Sequence, residues 1–367
     1  MRTIKSTPKK DGFRMPAEWE PRKQDWLIWP ERQDTWRMGG KPAQQVLVDV
    51  AKEIVRFNKL SVICSADQYE NARARLPEEV RLIEMTTDDS WAQDKGPFFL
   101  VNDKGESRGV TWGWNAYGGL EGGLYFPWKR DAEFATKLLD LEDLDRYDAR
   151  GMVYEGGAMQ IDGEGTLIVT ENSVLNHNRN PNLTKAEVET YMKDYMNLDK
   201  VIWLKEGMAF DETDGHIDDV LFFIRPGVLA LSWTDDVNNP QYKPLKEAYD
   251  ILSKETDAKG RKFEIHKIPI PEILYITKEE SEGVDICEDA ASREDGLPLA
   301  VTYINCYFCN GALLLPQYGD PMDQVAYDMY KELMPEREIV KIWTREFSLC
   351  GGNIHCMALQ QPAALVK

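Results

Sequence analysis

A chain of 367 residues with 43% hydrophobic and 29% charged residues can bury a sizeable core and has the balance of a soluble globular protein. No run approaches the roughly 18 apolar residues of a membrane span, and the basic, polar opening from Met1 to Pro16 lacks the apolar stretch of a secretory signal. Six irregularly spaced cysteines make no disulfide framework, so a reducing cytoplasm is expected, and a net charge of -19 argues against nucleic acid while suiting either a cationic ligand or a well-solvated surface.

Residues 1–14 read as a loose N-terminal arm, and Met15-Pro16-Ala17-Glu18-Trp19 opens the folded part. Trp26-Leu27-Ile28-Trp29-Pro30 predicts a short apolar strand stopped by proline. Across 42–58 the apolar residues Val46, Val50, Ile54 and Phe57 recur at helical spacing, and residues 60–64 return to strand character. A short helix near 68–76 and a strand at 80–85 follow.

From there a unit repeats. Strand pairs are predicted over 97–112, 158–170, 217–233 and 302–316, turning at Asp103-Lys104-Gly105, Asp162-Gly163-Glu164-Gly165, Arg225-Pro226-Gly227 and Asn310-Gly311. Each pair is followed by a helix (131–141, 184–195, 244–256, 322–333) and a further strand (147–153, 201–204, 263–269, 338–343). In the second of these helices Val188, Tyr191, Met192 and Tyr195 share one face. The fold class is therefore α/β, with four complete strand-strand-helix-strand units. A fifth would begin at 354–359 and be completed by the N-terminal strand at 26–30. Such a ring leaves no exposed sheet edge.

Asp94, Glu155 and His216 each stand just before the first strand of a hairpin, at a constant interval of 61 residues. In a ring, equivalent positions meet at the axis. Ile217 between His216 and Asp218 would put both polar side chains on one face of an incoming strand. Near the C-terminus, Cys350-Gly351-Gly352-Asn353-Ile354-His355-Cys356 places an amide, an imidazole and a thiol directly after two glycines, and Gly352 allows a close backbone approach. Most free cysteines are small buried hydrophobes; a nucleophilic Cys356 needs a base and groups that hold its electrophile. A guanidinium stays cationic at physiological pH and offers planar N–H pairs that match carboxylates, so Asp94 and Asp218 would clamp one while Cys356 attacks its central carbon. That is amidine hydrolysis by covalent catalysis.

Other signals point elsewhere. Cys306 and Cys309 lie in a predicted strand, where residues three apart face opposite ways, which argues against a metal pair. His355, taken as part of a strand, would alternate away from Cys356. His177, His266 and His355 have no partner that the sequence reveals.

With these motifs in place, the chain resembles agmatine deiminases, of the guanidino-group-modifying (pentein) superfamily, from Met15 to about Pro362. The resemblance is carried by Met15-Pro16-Ala17-Glu18-Trp19, Trp29-Pro30, Asp88-Asp89-Ser90-Trp91, Glu155-Gly156-Gly157, Asp162-Gly163-Glu164-Gly165-Thr166 and Asn178-Arg179-Asn180-Pro181. It continues through Gly215-His216-Ile217-Asp218-Asp219, Arg225-Pro226-Gly227-Val228, Ser232-Trp233-Thr234-Asp235-Asp236, Pro316-Gln317-Tyr318-Gly319-Asp320 and Gly351-Gly352-Asn353-Ile354-His355-Cys356.

The resemblance implies a single domain over 1–367, a five-bladed α/β propeller of ββαβ repeats closed by the two terminal segments. It implies hydrolysis of agmatine to N-carbamoylputrescine and ammonia through an amidino-cysteine intermediate, without a metal or cofactor, by a homo-oligomer (dimer or tetramer). Cys356 would be the nucleophile, and His216 would protonate the leaving group and then activate water. Glu155 would orient His216 and contact the guanidinium, while Asp94 and Asp218 would hold its nitrogens. The substrate's primary amine would meet Glu212, with Asp211 or Asp214 as substitutes, and Trp91 and Trp114 would pack on its methylenes or simply on the core. Several positions depart from the family pattern: Gln93 and Lys95 flank Asp94, Ala158-Met159-Gln160 follows the paired glycines, and Val301-Thr302 precedes Tyr303. A lysine charge beside Asp94 is expected to alter the local field. A deiminase for another guanidino compound, or a silent paralogue that binds polyamines, are the rival readings.

Overall fold

A computed structural model describes residues 1–366. Its strands form five separate small sheets. In four of them an antiparallel hairpin is joined by a third, parallel strand. The first pairs Phe98–Val101 with Ser107–Gly113 and adds Arg146–Val153; the second pairs Gln160–Ile161 with Thr166–Thr170 and adds Lys200–Leu204. The third joins Leu221–Arg225, Val228–Trp233 and Glu264–Pro269, and the fourth Tyr307–Cys309, Ala312–Gln317 and Glu338–Trp343.

A parallel partner cannot be reached by a tight turn, so each third strand follows a crossover helix. These helices are Phe134–Leu141, Lys185–Met196, Tyr242–Leu252 and Met322–Leu333. Lys185–Met196 is bounded by sequence-encoded signals: Thr184 and Glu187 form a capping box, and Asn197 ends the helix in the left-handed conformation.

The fifth sheet closes the ring with both chain ends. Ala358–Pro362 runs antiparallel to Arg22–Ile28, with Leu359 opposite Trp26, and Leu60–Cys64 and Arg81–Glu84 extend the sheet in parallel. The helix Lys41–Ile54 supplies the crossover. The architecture is a five-bladed α/β propeller. Among the described residues no helix is long and apolar enough to cross a membrane.

Two expectations are corrected. The strand expected at 354–359 begins only at Ala358, because Ile354–Met357 is a helical turn whose first N–H is accepted by the Asn353 side chain. Residues 1–14 are not a loose arm. Thr3–Ile4 adds a parallel strand to the first blade, Arg2 pairs with Asp145 at 2.6 Å, and Phe13 is buried against Tyr147 under the Arg108 guanidinium. One apolar ring and a few charge pairs suffice to dock a segment whose composition looks unstructured.

Candidate active site

Short turns stand before the first strand of every blade: Ala92–Lys95, Gly156–Ala158, Ile217–Asp219, the bend at 303–305, and Ile354–Met357. They carry Asp94, Gly157, Asp218, Asn305 and Cys356; Glu155 and His216 immediately precede the second and third turns, and His355 lies within the fifth. All of these residues are buried. His216 and Asp218 thus share a 3-10 turn rather than the strand face expected for them, and they converge because the turn curls around the axis.

Gly157 marks the point of convergence. A Cβ at this residue would lie 2.6 Å from His216 Nδ1, 2.8 Å from Asp94 Oδ1 and 2.9 Å from Asp218 Oδ2. Glycine leaves that space free, and its own N–H donates to Asp94 Oδ1 at 2.7 Å. His216 Nδ1 is 3.9 Å from Asp94 Oδ1 and 4.0 Å from Asp218 Oδ1. Both His216 Nδ1 and Asp218 Oδ1 are buried without a hydrogen-bond partner, which leaves both free to bond to a group seated between them.

The charges are strongly mutually dependent. Burial pushes the Asp94 carboxyl up to about 6, against the opposing pull of the His216 charge and a 2.7 Å hydrogen bond from Tyr117. Burial opposes a charge on His216, yet the hydrogen bond with Glu155 at 3.2 Å and the carboxylates of Asp94 and Asp218 outweigh it and raise its pKa to about 10. Burial likewise opposes ionisation of Glu155, but Arg179 and His216 hold it below its usual value. Burial, followed by the negative charges of Asp218, Asp94 and Asp219, pushes the Cys356 thiol well above its ordinary range. The resting centre therefore holds a thiol and an imidazolium among carboxylates.

Several residues that complete this centre escape sequence reasoning. Asn305 Nδ2 lies 3.2 Å from Cys356 Sγ, 3.2 Å from Asp218 Oδ2 and 3.1 Å from Asp219 Oδ1, while its Oδ1 accepts the His355 N–H. Cys356 Sγ is itself 3.6 Å from Asp218 Oδ2. Arg179 donates to Glu155 at 2.6 Å, to Asp214 at 2.6 Å and to the Thr213 carbonyl at 3.0 Å. The motif Asn178-Arg179-Asn180-Pro181 was the available signal, since an arginine in a polar turn has five donors to satisfy. Tyr117 had no such signal; it adopts a left-handed φ of 69° and brings its hydroxyl to Asp94. His355 does not alternate away from the thiol, because the helical turn aims its ring at Asp218 (2.8 Å) and Glu18 (2.8 Å).

The residues expected around the substrate's far end divide into two groups. Trp91 overhangs Gly352: a Cβ there would lie 2.5 Å from the indole Cζ3 and 3.1 Å from Cys356 Cβ. The indole is fixed by a 3.1 Å hydrogen bond to Asp89 and by contact with Trp36 at 5.1 Å. Trp114 packs edge-on against Tyr117 at 4.9 Å, with its Nε1 unpartnered. Glu212 pairs through one oxygen with Arg293, and its buried second oxygen, which has no hydrogen-bond partner, adjoins Gly351. Asp211 and Asp214, in contrast, are occupied by the scaffold. Asp211 accepts the His216 N–H at 2.7 Å together with the Thr213 N–H and O–H, and Asp214 holds Arg179.

Lys95 does not load its charge onto Asp94. Its ammonium is fully buried 2.6 Å from Asp131 and donates to the Asp89 carbonyl. Gln160 is likewise structural, accepting the Phe223 N–H at 3.3 Å, and Gln93 is buried. Cys306 and Cys309 are buried free thiols, and among the described residues no group of three or more His, Cys, Asp or Glu side chains is arranged to hold a metal ion.

The model of the Porphyromonas-type peptidyl-arginine deiminase family matches residues 14–362. The chain is 51% identical over 359 residues to the agmatine deiminase of Pseudomonas aeruginosa (strain LESB58), covering 98% of each, and 49% identical over 368 residues to that of Pseudomonas putida, covering 100% of each. A solved structure of the agmatine deiminase of Enterococcus faecalis superimposes with a TM-score of 0.97 at 43% identity, over 100% of both chains. By the extent of these matches, the chain belongs to the Porphyromonas-type peptidyl-arginine deiminase family.

Proposed function

We propose that the protein hydrolyses agmatine to N-carbamoylputrescine and ammonia through a covalent amidino-cysteine intermediate. The observation that carries this reading is the space beside Gly157, bounded by Asp94, Asp218 and His216, with the Cys356 thiol 3.6 Å from Asp218. A guanidinium seated there donates its N–H groups to the two aspartates, including the unpartnered Asp218 Oδ1. Its permanent positive charge offsets the carboxylates that keep the thiol protonated, so the Cys356 proton passes to solvent as the cation enters.

The thiolate then attacks the central carbon and forms the S–C bond. His216, an imidazolium in the resting enzyme, gives its proton to the departing nitrogen, the C–N bond breaks and ammonia leaves. Neutral His216 takes a proton from water as the water oxygen bonds to the same carbon. The C–S bond breaks as the hydroxyl proton of the adduct passes to sulfur, the ureido product leaves, and the Cys356 thiol is restored. Glu155, held by Arg179, keeps His216 oriented through both steps. The free oxygen of Glu212 beside Gly351 favours a substrate whose far end is an amine, and Trp91 would cover its methylenes.

The test is a turnover panel of agmatine, free arginine and an arginyl peptide, each with wild type and Cys356→Ala. Ureido product from agmatine alone, and none from the variant, is expected. Preference for arginine or peptide would overturn the substrate, and full activity in Cys356→Ala would overturn the covalent route.

A further inference from the structure

Behind the thiol, two carboxylates share one imidazole. His355 Nδ1 lies 2.8 Å from Asp218 Oδ2 and His355 Nε2 lies 2.8 Å from Glu18 Oε1, in a site where the side chain is 3% exposed. An ionised carboxylate only accepts, so where both are ionised the two facing ring nitrogens each carry a proton; against the cost of burial, Glu18 and Asp218 raise the His355 pKa well above its ordinary value. Glu18 comes from the other end of the chain, 337 residues away, and its backbone carbonyl is fixed by Arg22 at 2.9 Å. On the far side, Asp218 Oδ2 also receives Asn305 at 3.2 Å, which leaves Oδ1 as the oxygen without a partner.

We infer that Glu18 and His355 are positioning residues for the guanidinium clamp: a buried Glu18–His355–Asp218 chain whose imidazolium pins Asp218 Oδ2 and presents Asp218 Oδ1, ionised, to the substrate. The inference rests on the guanidinium reading above. The chain does two things that a neutral packing contact would not. It fixes the direction of the free lone pairs, and it places a positive charge against a carboxylate that must stay ionised beside Asp94 and Asp219. The charged and titratable groups around it are Glu18, Arg22 and Cys306 on one side, and Asp218, Asp219 and Cys356 on the other. It also explains why the segment Met15 to Trp19, far from the thiol in sequence, belongs to the centre.

Glu18→Gln keeps the shape and one accepting oxygen while removing the charge. Nitrogen-15 NMR of the four histidines, assigned by single replacement, should show His355 of the wild type protonated on both nitrogens at about pH 8, far above the usual imidazole range. In Glu18→Gln that doubly protonated signal should be lost at the same pH. KM for agmatine should rise at least about tenfold with a smaller change in kcat, and agmatine should bind Cys356→Ala/Glu18→Gln weaker than Cys356→Ala by the same factor. A neutral His355 in the wild type, or a Glu18→Gln enzyme that folds and keeps its KM within about twofold, would overturn the inference. A wild type without agmatine turnover would instead sink the substrate reading, and the NMR result would still judge the charge on His355.

Discussion

Removing the hydroxyl of Tyr117 tests how the clamp is kept ionised. Asp94 is buried, and burial alone would hold it protonated; its pKa of about 6 is the balance between that cost and the groups favouring the anion. Two hydrogen bonds reach the carboxylate, one from Tyr117 at 2.7 Å and one from the Gly157 N–H at 2.7 Å. A hydrogen bond to a charged group contributes about 1.5–3 kcal/mol, and about 1.4 kcal/mol corresponds to one pH unit, so Tyr117→Phe should raise Asp94 by about 1–2 units. The assay is the pH profile of kcat/KM, which reports ionisation in the free enzyme. Its acid limb should lie near 6 in the wild type and move upward by at least about one unit in the variant, with the plateau largely kept. A variant slower by one factor at every pH, with its limb unmoved, would refute the reasoning and leave Tyr117 as packing. The sign for stability runs the same way. Because the folded value lies above the ordinary 3.8, Asp94 favours the folded chain below that pH, and the contribution is lost as pH rises through about 6.

The alkaline limb should follow His216: activity persists towards about 10 and falls above it, as the imidazolium proposed to protonate the leaving nitrogen is lost. A limb near the ordinary imidazole value, measured on the same profile, would contradict this. Gly157→Ala places a methyl within 2.9 Å of three site groups and should lower kcat/KM by about a hundredfold or more, with circular dichroism unchanged. Wild-type rates there would mean that the guanidinium does not sit beside Gly157. Lys95→Met breaks an ion pair between side chains that are both 0% exposed and should cost about 3 kcal/mol in urea unfolding. KM for agmatine should not change; a raised KM would show that the lysine charge acts on Asp94 after all.

Much of the architecture is written in short-range pattern. The alternation of hairpins and amphipathic helices set out four blades, and the leftover strands at the two ends pointed to closure. The 61-residue spacing of Asp94, Glu155 and His216 pointed to the ends of three successive blades, although Asp94 lies within its turn and Glu155 and His216 stand just before theirs. These features are legible because period, turn chemistry and capping act over a few residues.

Partnership is another matter. His355 read as a strand residue turned away from the thiol, since alternation is the only rule available without knowing that residues 354–357 form a helical turn. Glu18, Tyr117 and Asn305 gave no sign of their roles, because a hydrogen bond from Asn305 to Cys356 or from His355 to Glu18 exists only once the ring has closed. Lys95 shows the converse: beside Asp94 in sequence, its charge is taken up by Asp131 on another element. The chain by itself determined which chemical groups are present and roughly which end of each blade bears them. Only the tertiary structure decided which carboxylate each cation faces, because burial makes every unpaired charge costly and the pairing is settled by whatever the fold brings within reach.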